Sequence, residues 1–244
     1  MVIAMIKAQS EPFLFESLKI AREINDKASE SEVLGELANL YARLGRIEEA
    51  IAYYHQALEI ARAIGDRRAE GASLGNLGNA YATLGHIEEA IAYYHQALEI
   101  ARAIGDRQSE GNHLSNLGLA YSDLGRIEEA IAYYHQALEI ARAIGDRRGE
   151  ASRLANLASA FAALGRIEEA IAYYHQALEI ARAIGDKYTE SQVLIKLGQA
   201  YEKSGNRKMA LINYDSASSI AKEIGSPYIE LIEHLRKTVT DANV

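Results

Sequence analysis

The sequence predicts an all-α solenoid of antiparallel helix pairs, five full repeats with a half-unit at each end, and three observations carry that prediction. The string IEEAIAYYHQALEIARAIGD stands unchanged at 47–66, 87–106, 127–146 and 167–186, a 40-residue period, and periods of roughly 20–50 residues mark stacked arrays. Each unit holds two apolar stripes at helical spacing with a glycine between them. Partial copies flank the four: Ala210, Tyr214, Ala217, Ile220, Ala221, Ile224 and Gly225 keep the register downstream, and Leu18, Ile20, Ala21, Arg22 and Ile24 keep it upstream.

The first helix of a unit (helix A) is read from Leu74, Leu77, Tyr81 and Leu84 in the second copy, and Gly85 ends it. The second helix (helix B) carries Ile87, Ala90, Ile91, Tyr94, Ala97, Leu98, Ala101 and Ile104, a stripe wide enough for contact on two sides. Glu88 and Glu89 fall in its first turn, at the positive end of the helix dipole. Its stop is Gly65, Gly105, Gly145, Gly185 or Gly225, and Asn25 in the leading half-unit. Both residue types tolerate the left-handed conformation that closes helices. The next residue is Asp26, Asp66, Asp106, Asp146, Asp186 or Ser226, each a good N-cap, and Pro227 follows the last at an expected first helical position.

These signals divide the chain into a leading segment and half-repeat (1–30), repeats at 31–66, 67–106, 107–146, 147–186 and 187–225, and a capping helix with its tail (226–244). A helix pair this short cannot bury its stripe alone, so stability is expected to grow with stacking. Residues 12–25 are expected to cover the first repeat, and 227–240 to solvate the other end.

Composition narrows the chemistry. Lys plus Arg number 26 against 34 Asp plus Glu, a net charge of −8, which works against nucleic-acid binding. With no cysteine, a disulfide framework, a thiolate metal site and a cysteine nucleophile are excluded. The apolar opening Met1–Ile6 is too short for a signal peptide, and nothing approaches ~20 apolar residues in a row. The expectation is a cytoplasmic protein with no membrane partner. His55, His95, His135 and His175 recur once per unit. They form a row rather than a cluster, whereas a zinc site needs donors ~2 Å from one ion, so no metal is expected. Of the doublets Tyr53/Tyr54, Tyr93/Tyr94, Tyr133/Tyr134 and Tyr173/Tyr174, the second member belongs to the core and the first to the seam between repeats. No nucleophile elbow, phosphate loop or paired-carboxylate pocket stands out. Neither enzymatic activity nor a cofactor is expected.

The unit resembles the tetratricopeptide repeat on Leu77, Gly78, Tyr81, Gly85, Ala90, Tyr94 and Ala97. Leu74 fills the usual tryptophan position, and Arg102 stands where the family's closing proline would be. The longer unit is similar to those of kinesin light chains and of adaptors of the spindle-orientation type. The resemblance implies a right-handed superhelix whose helices A line a concave groove for a protein or peptide ligand. It also implies that groove residues come from the second, fifth, sixth, ninth, twelfth and thirteenth positions of helix A. The candidate partner-binding residues are thus Asn39 and Arg43 in repeat 1, Asn76 and Asn79 in repeat 2, and Asn112, Asn116 and Leu119 in repeat 3. Asn156 and Ser159 follow in repeat 4, with Lys196, Gln199 and Lys203 in repeat 5. Asn76, Asn116 and Asn156 repeat at the sixth position; their amides both donate and accept, as a peptide backbone requires, and the alternative is a tolerated polar residue on a solvated helix face. The fifth position is Gly35, Gly75, Ser115, Ala155 or Ile195. The lysine by which chaperone-adaptor repeats grip a terminal carboxylate is therefore missing. Glu32 and Glu36 at one end and Lys196 and Lys203 at the other would orient a bound peptide.

The alternative is a structural, designed or self-assembling repeat protein with no natural ligand, which the verbatim copies favour. Identical units also invite a homo-oligomer, formed through the ends or by swapping.

Overall fold

The computed structural model describes residues 2–241, with side chains over 11–240. Among these residues all regular structure is helical. The side chains of the apolar opening Met1–Ile6, and the tail after residue 241, lie outside the described residues. The chain forms two compact units, one through Leu124 and one from Gly125.

The first unit holds α1 (Val2–Glu23), α2 (Lys27–Arg43), α3 (Ile47–Ile64), α4 (Arg67–Thr83), α5 (Ile87–Ala103) and α6 (Arg107–Asp123). Each helix packs on the next in sequence, and the A helices also touch one another, α2 with α4 and α4 with α6. The second unit holds α7 (Ile127–Ala143), α8 (Arg147–Ala163), α9 (Ile167–Ala183), α10 (Lys187–Lys203), α11 (Arg207–Glu223) and α12 (Ile229–Asp241). Within it α7 packs on α8, α8 on α9, α9 on α10, α10 on α11 and α11 on α12, and the A helices α8 and α10 touch. The core of both units is a Leu pair three residues apart on each helix A. Leu34 and Leu37, Leu74 and Leu77, Leu114 and Leu117, Leu154 and Leu157, and Leu194 and Leu197 are all at most 2% exposed.

The junctions explain why the chain turns where it does. Asn25 has φ 56°, the left-handed conformation that its glycine counterparts also adopt, as Gly105 does at 70°. The next residue caps the following helix: Asp26 accepts from the Ser29 N–H at 3.1 Å, Asp66 from Ala69 at 2.9 Å and Asp146 from Gly149 at 2.8 Å. Such a cap contributes about 1 kcal/mol. The last junction departs from the expected pattern. Ser226 Oγ accepts from the Tyr228 N–H, two residues on rather than three, at 3.3 Å. Pro227 and Tyr228 therefore form a turn, and α12 starts at Ile229 instead of at Pro227. At the other end α1 begins at Val2, well before residue 12, because the apolar opening is helical as far as Pro12 and through it.

A second feature of each junction is a buried carboxylate. Glu30, Glu70, Glu110, Glu150 and Glu190 are 5–7% exposed. Each accepts from the arginine eight residues earlier, at the end of the preceding helix B, at 2.8–3.0 Å. Each also pairs with the Lys or Arg three residues before it: Lys27, Arg67, Arg107, Arg147 or Lys187. Lys27 and Arg22 together hold the Glu30 carboxyl below its usual range.

Packing within a repeat is close enough to require glycine. A Cβ on Gly78 would lie 2.5 Å from the Tyr94 ring, whereas one on Gly35 would meet nothing within 4 Å. Gly78→Ala is thus expected to lower the urea midpoint, at a cost of about 1–3 kcal/mol for overpacking. Gly35→Ala should raise it, because alanine favours the helix by about 1 kcal/mol. Equal midpoints for the two variants would contradict this account.

Candidate functional site

Helix B supplies the wall behind the site. Tyr54, Tyr94 and Tyr174 are buried, and each hydroxyl emerges beside the ninth residue of the partner helix A. Tyr54 donates to Asn39 Oδ1 at 2.6 Å and Tyr94 to Asn79 Oδ1 at 2.8 Å, while the Tyr174 hydroxyl lies 2.9 Å from Ser159 Oγ. Burial raises all three phenols above the ordinary tyrosine range, Tyr94 to about 12. The ninth-position residues Asn39, Asn79 and Ser159 are exposed, yet each has one polar atom committed inward.

In the first unit Asn116 Nδ2 also donates to Asn79 Oδ1, at 3.1 Å. That oxygen then accepts two bonds, which fills its lone pairs and leaves the Asn79 amide N–H groups facing outward. A cleft of about 870 Å³ lies here, bordered by Phe13, Glu36, Asn39, Arg43, Asn76 and Asn79 among others. Asn76 is half-buried and makes no side-chain hydrogen bond among the described residues. Asn112 and Leu119 lie on the exposed face of α6, Leu119 with 54% of its surface accessible. Gly75, expected in the groove, is buried instead. His113 of α6 covers it, and a Cβ there would stand 2.5 Å from the imidazole. Burial lowers the His113 pKa, against an opposing pull from Asp106.

In the second unit two adjoining cavities run along α10. One, of about 370 Å³, lies between α8, α10 and α12, and Asn156, Ser159, Lys196 and Gln199 line it with Tyr228 and Leu231. The other, of about 610 Å³, shares Ser159, Lys196 and Gln199 and extends to Lys203 and Leu235. Ile195 is only 6% exposed and forms floor rather than rim. The capping helix and the turn before it thus contribute to the site through Leu231, Leu235 and Tyr228, which repeat spacing does not single out.

Two other periodic features acquire structural roles. His55 and His135 lie edge-on to Tyr93 and Tyr173 of the following helix B, with centroids 6.1 and 6.4 Å apart. Tyr93 also stacks on Tyr81 of its own repeat at 5.1 Å, which puts the first tyrosine of the doublet at the seam between repeats. Among the described residues no cluster of His, Asp and Glu is arranged to hold a metal ion. No described helix is long and apolar enough to cross a membrane.

The tyrosine contacts separate ninth-position residues from sixth-position ones. Tyr94→Phe should cost about 1 kcal/mol in chemical denaturation, since it removes a buried hydroxyl and strips Asn79 of a partner. Asn116→Ala, which loses only an exposed bond, should cost less than about 0.5 kcal/mol. A larger loss at Asn116 than at Tyr94 would reverse the assignment.

Comparison with known proteins agrees with this geometry. A family model for the tetratricopeptide repeat matches residues 29–103, 109–183 and 150–223. No curated protein matches the chain. Among solved structures, BtubC (BKLC) from P. vanneervenii superposes with a TM-score of 0.79 at 22% identity, covering 92% of this chain and 93% of that one. A kinesin-light-chain-like protein of Podosopora anserina, with nearly identical TPR-like repeats, gives 0.66 at 23% identity over 79% and 95%. YrrB, described as a TPR protein with an unusual peptide-binding site, gives 0.55 at 20% identity over 91% and 98%. At these identities the likeness is one of fold, whereas the family model spans most of the sequence. The chain belongs to the tetratricopeptide-repeat family.

Proposed function

We propose that the chain is a non-catalytic protein-interaction scaffold that holds a peptide or a helix of a partner against the exposed faces of its A helices. One observation carries this reading. Four of the five helices B are copied verbatim, while the A-helix positions that border the clefts differ from repeat to repeat. Copying preserves the frame, and variation falls where a ligand would touch. The cleft borders are rich in amides, with N–H groups left over after the internal bonds of Asn79 and Asn116 are counted. YrrB, of like fold, is described as having a peptide-binding site, which supports the class of ligand. The borders also differ in charge: Glu36 and Arg43 offset each other at the first-unit cleft, whereas Lys196 and Lys203 outnumber Glu202 at those of the second. The reading includes cytoplasmic action without metal, cofactor or nucleic acid, supported by the absence of cysteine and the net charge of −8.

Selection of a random peptide display library on the whole chain tests this. The control carries Asn76→Ala, Asn116→Ala and Asn156→Ala together. A shared motif enriched on the chain and lost on the control is the expected result. No enrichment on either protein would sink the proposal.

A second reading, self-association through an end, rests on α1 and the residue that follows it. Phe13, Ile20 and Ile24 are 70%, 48% and 67% exposed, although Ile100, the counterpart of Ile20, is 4% exposed in its own repeat. If this face self-associates, light scattering should show mass rising with concentration, and Phe13→Ser with Ile20→Ser should abolish the rise. A constant monomer mass would remove this reading.

A further inference from the structure

From the second unit we infer that its cleft is selective for an acidic, extended peptide segment carrying one apolar side chain, with Lys196 as the central recognition residue. The inference rests on the reading of the A-helix faces as peptide-binding surfaces and specifies the ligand of one of them.

The argument begins with charge accounting. In this unit Arg142, Arg182 and Lys187 are paired with buried carboxylates, and Arg148 and Lys222 with Asp186 and Glu233. Lys196 and Lys203 are exposed and have no carboxylate partner among the described residues, and unlike the similarly unpaired Lys208 and Lys237 they border the cavities. Lys196 borders both cavities and is the one charged side chain on the smaller. The acid on the larger, Glu202, accepts from the Tyr214 hydroxyl at 3.1 Å. In a chain of net charge −8, two unpaired ammonium groups on one trough are a local exception, and a carboxylate is the group that completes them.

The spacing then restricts the ligand. Seven residues of α-helix separate the two lysines, ~10 Å along the axis. Residues three apart in a polyproline-II segment lie on one side at ~9 Å, so carboxylates at positions i and i+3 meet both lysines. Beyond Lys196 the smaller cavity is floored by Val193 and Ile195 and walled by Tyr228 and Leu231 of the cap. Leu231 is 45% exposed there. Gln192 lies one helical turn before Lys196, ~6 Å away. An apolar side chain about two residues outside the acidic pair therefore enters this cavity. Gln192 and Gln199 flank Lys196 and offer amides to the peptide backbone.

The test is fluorescence anisotropy on the whole chain with labelled peptides Leu-Ser-Asp-Ser-Ser-Asp and its reversed order, each beside versions with Asn or Lys in place of Asp. The acidic form should bind at least tenfold tighter than the Asn form and weaken as salt rises from 50 to 300 mM. Lys196→Glu should cost at least tenfold and make the Lys-containing peptide the preferred one. Lys203→Glu should cost less, and Leu231→Asp should weaken the acidic peptide without inverting the charge preference. Circular dichroism checks that each variant is folded, and Lys196→Gln serves if the charge reversal is not. Equal binding of acidic and neutral peptides, unmoved at Lys196, overturns the inference and leaves the scaffold reading intact. Failure of these peptides while a display library still enriches an Asn-dependent motif overturns it likewise. Failure of both experiments overturns the scaffold reading as well.

Discussion

The rest of the structure depends on five carboxylates that have been taken out of water. Glu30, Glu70, Glu110, Glu150 and Glu190 are buried at the start of each helix A, where charge is tolerated only with partners in place. The partners come from two directions. One is the arginine that ends the preceding helix B, the other the basic residue that opens helix A itself. The three groups meet only if the two helices leave the junction at one angle, so the ion triad acts as a jig for the stacking of successive repeats. Leucine burial supplies the driving force but is non-directional. At the last junction the acid is Glu233, held at about 2 by Ser218, Arg236 and Lys222. It lies eleven residues past Lys222 instead of eight, which agrees with a capping helix that begins later than its counterparts.

That jig accounts for the departure of the unit from the usual tetratricopeptide pattern. Where the family's closing proline would stand, this chain has Arg62, Arg102, Arg142 and Arg182. Proline ends a helix by denying it an N–H. Arginine lets helix B run on to the glycine and then bonds across the turn to the next helix. The longer unit and the buried glutamate are two sides of one substitution.

Much of this is legible in the sequence because it is periodic. The glycine–aspartate junctions, the leucine pairs and the buried second tyrosine follow from repetition plus the conformational preferences of single residues. Asn25 in place of glycine is an internal check, and its φ of 56° agrees. What is not legible depends on partners far away in sequence. Repeat position marks Asn39, Asn79 and Ser159 as ligand contacts alone, yet each also meets a tyrosine hydroxyl fifteen residues on. A constant Tyr paired with a polar ninth position is the available signal. The same spacing puts Gly75 in the groove lining, but His113 of the next repeat fills the space above it. The third position of helix A (Val33, Ser73, His113, Arg153, Val193) varies in size, and only packing between neighbours reveals what each one covers. The apolar contribution of α12 is hidden for the same reason: Tyr228 and Leu231 sit in a segment whose composition suggests only a solvating cap.

The distribution of satisfied and unsatisfied groups then distinguishes the two sides of the repeats without reference to any one residue type. On the helix-B side the arginines are spent on glutamates, the histidine rings on tyrosines and the tyrosine hydroxyls on the ninth position. That leaves exposed carboxylates such as Glu59, Glu99, Glu139 and Glu179. The same accounting on the A-helix face leaves amide N–H groups, the Arg43 guanidinium and the ammonium groups of Lys196 and Lys203 over. A stacked array has no interior in which to hide such a surplus, because each repeat buries only the faces it turns toward its neighbours. What remains must face solvent or a partner. Since the frame is held by groups that repeat without change, substitutions on the remaining face cost little stability. A copied scaffold can therefore carry a different surface on each repeat while its junctions stay the same.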